Sequence, residues 1–80
     1  MCPEFVIELR SKSDGLAAAQ KKMRRWLSYG VELGWLIDPV RRVVEIYRPG
    51  EPVEVLEDPT SVLGTGPVRG FCLVMGRVWG

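Results

Sequence analysis

From Pro3 to Arg10 the chain follows a period of two, broken only by Val6 on the otherwise polar side. Phe5, Ile7 and Leu9 fall on one side and Glu4, Val6, Glu8 and Arg10 on the other, which is the period of a β-strand. From Leu16 to about Tyr29 the spacing becomes helical, with Leu16, Ala19, Met23, Trp26 and Leu27 on one stripe and Gly30 placed to end the helix. Three consecutive alanines raise the intrinsic propensity of that segment. Between strand and helix, Ser11-Lys12-Ser13-Asp14-Gly15 is a turn rich in helix-capping residues.

Beyond the helix the apolar runs are short. Gly34 to Asp38 predicts a buried strand, and Asp38-Pro39-Val40-Arg41 a turn with proline at its favoured second position. Arg42 to Arg48 predicts a further strand, Pro49-Gly50-Glu51-Pro52 another turn, and Val53 to Glu57 the last strand of a meander. Asp58 to Gly66 predicts a loop. Pro67 to Gly80 predicts a short strand or turn that brings a terminal aromatic, Trp79, onto the core. Strand, helix and three hairpin-linked strands imply a parallel crossover followed by antiparallel pairing. The expectation is an α/β fold with a mixed sheet and the helix on one face, in a single domain over residues 1–80.

Composition narrows the functional classes. A net charge of +1 gives no overall field for a polyanion, so any attraction to nucleic acid must be local. With no histidine and only Cys2 and Cys72, which lack CxxC spacing, a zinc site of the Cys/His type cannot be assembled. Two free thiols in a reducing compartment are the expected state, with a Cys2–Cys72 disulfide left open. Met1 to Glu4 lacks the basic and apolar regions of a signal peptide, and no apolar run is long enough to span a membrane. The expected location is the cytoplasm.

Candidate chemistry starts from the carboxylates of the first strand. Glu4 and Glu8 project from the same face, where a hard cation such as Mg²⁺ could find oxygen ligands. Glu8 lies among apolar residues and needs a cation or a hydrogen-bonding partner. The residues alone favour a structural ion pair over a metal ligand for Glu8, and a solvated strand start for Glu4. On the helix, Lys21, Arg24 and Arg25 read as a solvated polar face, whereas Lys22 sits at the edge of the apolar stripe and can reach back towards Glu8. Trp26 and Trp35 read as core. Ser11 and Ser13 have no histidine to activate them, so a serine nucleophile is disfavoured.

The order of motifs carries a resemblance. Pro3 to Asp14 is similar to a stretch of the form P-D-x-V-x-E-x-x-S-x-S-D found in bacterial restriction endonucleases of the PD-(D/E)XK nuclease superfamily. A helix with Lys22-Met23 follows, then Gly30-Val31-Glu32-Leu33-Gly34-Trp35-Leu36-Ile37-Asp38-Pro39, then Val44 to Gly50, and the segment from Gly70-Phe71 to Trp79. The resemblance spans essentially the whole chain. It implies a restriction-endonuclease-like mixed sheet, here reduced to strand–helix–strand plus an antiparallel meander, and metal-assisted hydrolysis of DNA with Mg²⁺ or Mn²⁺.

Carried over by position, Glu8 becomes the metal-binding glutamate and Lys22 the catalytic lysine, moved onto the helix. Arg10 occupies the usual lysine place and becomes a phosphate contact, and Glu4 a further metal ligand. The family's aspartate after Pro3 is glutamate in this chain, and its separate upstream P-D motif has no counterpart. The resemblance thus implies an N-terminally truncated member with an impaired site. A small sheet with an uncovered edge also predicts a homodimer or larger homo-oligomer. The competing expectation, of a different class, is a non-catalytic α/β interaction module that self-associates through that edge.

Overall fold

The computed structural model describes residues 3–13 and 15–79. Alternating Phe5 to Leu9 form strand β1, and the Leu16–Ser28 stripe forms helix α1. Three strands follow as β2 (Leu33–Asp38), β3 (Val43–Tyr47) and β4 (Glu54–Glu57). They build one four-stranded sheet in the order β1-β2-β3-β4. β1 runs parallel to β2, with Glu8 opposite Leu36, and the other two pairings are antiparallel. This is the mixed α/β sheet that the residue pattern predicts.

The two central strands, β2 and β3, are buried along their whole length. One face of the sheet packs Met23 of α1 against Leu36 and Tyr47, with Val6, Ala19, Trp26 and Leu27 around them. Gly34 makes this close approach possible: a Cβ there would meet the Met23 Cε at 2.7 Å. α1 ends as expected, with Gly30 at φ 102° just past the C-cap Tyr29. Its start differs. The N-cap is Gly15, with no side-chain cap, and Ser11 and Ser13 bond to each other instead at 3.0 Å. Asp14, the other capping candidate, lies outside the described residues.

The opposite face is covered by a further layer. The sequence pattern anticipates its C-terminal part, the short strand and terminal aromatic after Pro67, but not its first strand. The segment expected as loop contains strand β5 (Ser61–Leu63), which pairs antiparallel with β6 (Cys72–Val74); helix α2 (Gly76–Trp79) follows. Val62 and Met75 from this layer join Leu33, Trp35, Ile37, Val44 and Ile46 in the larger core, with Leu73, Val78 and Trp79 packed against it. The terminal aromatic does reach the core. Strands of three residues are too short for alternation to show, and Gly64, Gly66 and Gly70 break the pattern between them.

The apolar face expected of β1 is only partly buried. Phe5 packs edge-to-face on Trp35 at 5.1 Å, but Ile7 and Leu9 remain 43% and 61% exposed. The C-terminal layer covers the middle of the sheet and stops short of the outer end of β1. At the other edge, Arg42 and Asp58 both adopt left-handed backbone, with φ of 54° and 47°. The Asp58 N–H extends the β3–β4 ladder by donating to the Arg42 carbonyl at 2.7 Å.

Candidate functional site

Period-two alternation turns Glu8 towards α1, and one helical turn separates Lys22 from Trp26 on the side of α1 that meets β1. The result is a pocket of about 170 Å³ lined by Glu8, Leu9, Arg10, Ala18, Ala19, Lys22 and Leu36. The small side chains of Ala18 and Ala19 leave it open. At its wall the Lys22 ammonium stands 3.4 Å from Glu8 Oε1, and the Trp26 indole N–H donates to Glu8 Oε2 at 2.8 Å. The Glu8 side chain is 25% exposed and that of Lys22 58%.

Two of the residues singled out from sequence, Glu8 and Lys22, thus come together. Arg10 lines the same pocket but is engaged elsewhere, donating to Asp38 at 2.8 Å. Glu4 is not part of the pocket; it is exposed at the start of β1, about 13 Å along the strand from Glu8 at the usual rise per residue. Lys21, Arg24 and Arg25 are exposed, as a solvated helix face should be. Trp35 is core, whereas Trp26 is half-buried and holds the Glu8 carboxylate. Cys72 is an exposed free cysteine, and Cys2 lies outside the described residues.

A second polar cluster occupies the same face of the sheet. Asp38 is fully buried and accepts four hydrogen bonds: from Arg10 at 2.8 Å, from the Arg41 Nε at 2.6 Å, and from the backbone N–H groups of Val40 and Arg41. Arg41 also donates to Glu45 at 2.9 Å, and Glu45 accepts further bonds from Gln20 and from the Tyr47 hydroxyl at 2.7 Å. Burial pushes both carboxyls up, but the guanidinium, hydroxyl, amide and backbone donors outweigh it and hold both below their ordinary values. Burial and the neighbouring Glu45 charge push the Tyr47 hydroxyl up, keeping it neutral. Sequence reading missed this cluster. The available signal was an acid in mid-strand among Val43, Val44, Ile46 and Tyr47, and another closing the apolar run at Asp38.

Among the described residues no three of His, Cys, Asp and Glu come together as a metal-holding group. The carboxylates of Asp38 and Glu45 are saturated by donors, and among the described residues Glu8 is the one acid lining the pocket. A hard divalent ion can be held by one or two protein carboxylates plus water and phosphate, so Glu8 meets the lower bound of what such an ion needs. No helix among the described residues is long and apolar enough to cross a membrane.

Comparison with known proteins assigns the chain to a family. The fold matches the crystal structure of "a putative nuclease belonging to DUF820" from Anabaena variabilis with a TM-score of 0.81 and 26% sequence identity. The match covers 99% of this chain and 45% of that one, so the chain spans less than half the length of that relative. No curated protein matches the chain. The model of the Uma2 family, described as "Putative restriction endonuclease", matches residues 1–76, and the chain belongs to that family.

Proposed function

We propose that the chain carries the Glu8–Lys22 portion of a divalent-metal-dependent DNA endonuclease site. The observation that carries this reading is the meeting of Glu8 and Lys22 at 3.4 Å on the wall of an open pocket. Family membership and the fold match to a nuclease support this reaction class. Glu8 is the carboxylate offered to Mg²⁺ or Mn²⁺, with the remaining oxygen ligands coming from water, substrate phosphate and groups outside the described residues. When bound, such an ion polarises the phosphate and supplies hydroxide near neutral pH.

The chain's own residues do the rest. Lys22, on a flexible and largely exposed stem, balances the Glu8 charge at rest and turns to a phosphate oxygen when substrate enters. Arg10 adds positive potential at the pocket wall while anchored by Asp38. The exposed Lys21, Arg24 and Arg25 of α1, a helix without an acidic residue, suit the approach of a DNA backbone. With one pocket carboxylate supplied by these residues, catalysis by the chain alone is weak. We place the protein in the cytoplasm, where the exposed Cys72 thiol stays reduced.

The test is nicking of supercoiled plasmid with Mg²⁺ or Mn²⁺ by the wild-type chain, Glu8→Ala and Lys22→Ala. Metal-dependent nicking that disappears in both variants is the expected outcome. Nicking that survives Glu8→Ala removes the assignment.

One observation favours a second reading, a non-catalytic module that self-associates. β1 is an edge strand of the sheet and carries the exposed apolar pair Ile7 and Leu9. On this reading two copies meet along β1. Sedimentation should then show a dimer that Ile7→Lys or Leu9→Lys returns to monomer, whereas a wild-type monomer at high concentration discards the idea.

A further inference from the structure

The two oxygens of Glu8 are held unequally. Oε2 accepts from the Trp26 indole at 2.8 Å, within the roughly 2.7–2.9 Å of a strong bond from N–H to a carboxylate. Oε1 faces the Lys22 ammonium at 3.4 Å, longer than such a bond, and the lysine side chain is more than half exposed. Trp26 itself is wedged. It packs against the Met23, Leu36 and Tyr47 cluster and meets the Tyr29 ring edge-on, with centroids 6.5 Å apart and planes at 88°.

An indole nitrogen can only donate, and it is neutral. A lysine ammonium is charged, strongly hydrated and free to swing on its four-carbon stem. A cation arriving at Glu8 repels the ammonium and leaves the indole undisturbed.

We infer that Trp26 is a positioning residue that fixes Glu8 through Oε2, so that Oε1 is the oxygen offered to an incoming cation and Lys22 is the partner that lets go. The inference rests on the reading of Glu8 as a metal-facing carboxylate, and it gives that reading a definite geometry. Glu8 binds through one oxygen, and the displaced ammonium, freed on its flexible stem, turns away from the cation towards a phosphate. Lys22 and Trp26, four residues apart on one helix, thereby divide the work between a movable and an immovable grip.

The experiment follows the Trp26 indole N–H in two-dimensional ¹H–¹⁵N spectra of the full chain. The signal is assigned by its loss in Trp26→Phe. It should move clearly upfield in Glu8→Gln, which weakens the acceptor without touching the tryptophan, and stay in place in Lys22→Met and on addition of Mg²⁺. In calorimetry, Trp26→Phe should weaken Mn²⁺ binding by about 10-fold or more, the usual effect of losing a group that orients a ligand.

An indole signal unchanged by Glu8→Gln, or moved as far by Lys22→Met, overturns the inference. Unchanged Mn²⁺ affinity in a folded Trp26→Phe also overturns it. A wild-type chain that shows the indole response yet takes up no Mn²⁺ overturns the metal reading of Glu8 instead and leaves the unequal grip supported.

Discussion

One face of one sheet carries two acidic clusters in opposite states. Around Asp38 and Glu45, every carboxylate oxygen meets guanidinium, amide, hydroxyl or backbone donors, and the acids are sealed from solvent. Around Glu8, the Lys22 ammonium and the Trp26 indole N–H meet the two oxygens beside an open pocket. The difference lies in position: Asp38 and Glu45 sit on the central strands under α1, whereas Glu8 sits on an edge strand. A buried carboxylate without full pairing would be costly, so the centre is saturated and inert. The edge tolerates a more loosely held acid, and on the proposed reading that looser hold is what an incoming cation would use.

The contrast can be broken most forcibly at its sealed end. Asp38→Ala removes the buried carboxylate that Arg10 and Arg41 share and should cost about 3 kcal/mol in urea unfolding. Glu8→Ala should cost less than about 1 kcal/mol, because its ion pair is partly exposed and screened. Equal losses at the two positions would erase the distinction.

The pH dependence of stability sharpens it. Asp38 and Glu45 titrate below their ordinary values, so the unfolded chain binds more protons than the folded one as pH drops below about 4. Their contribution is complete above that range and is lost as pH falls through the depressed values. Tyr47 acts at the other end: its raised value means stability declines as pH rises past about 10, where only the unfolded chain ionises. Thermal melts across pH should show both shoulders in wild type and in Glu8→Gln alike. Asp38→Asn should flatten the acid one.

A more local effect concerns the gap between α1 and the sheet. Gly34→Ala pushes on the flexible end of Met23 and should cost about 1 kcal/mol. Because Met23 shares α1 with Lys22 and Trp26, it should also loosen the hold on Glu8, seen as an upfield move of the Trp26 indole signal.

How much of this was legible from the chain depended on the range over which residues act. Glu8 and Lys22 could be paired in advance because strand and helix are consecutive and each has a clear period. The Asp38–Arg10 and Glu45–Gln20 bonds join residues 28 and 25 positions apart, and no local period encodes such partners. β1 shows the same limit. Its alternation set Phe5, Ile7 and Leu9 on one face, but how much of that face is buried depends on how far the β5–β6 layer extends, and that layer is built from segments too short and glycine-rich to announce themselves. Trp26 read as core from its place on the stripe, and its N–H became informative only when Glu8 was found beneath it.

The left-handed pair at the far end of the meander has a practical bearing on engineering. Arg42 and Asp58 hold a conformation that disfavours side chains, and neither lines the Glu8 pocket. Arg42 directly follows Arg41, which serves the buried Asp38 and Glu45, so Asp58 is the safer place to intervene. Asp58→Gly should relieve about 1 kcal/mol of backbone strain. A small domain with little stability to spare could thus be given a margin that offsets disruptive substitutions at its site, so that Trp26 and Glu8 can be altered freely without losing the fold that makes the results interpretable.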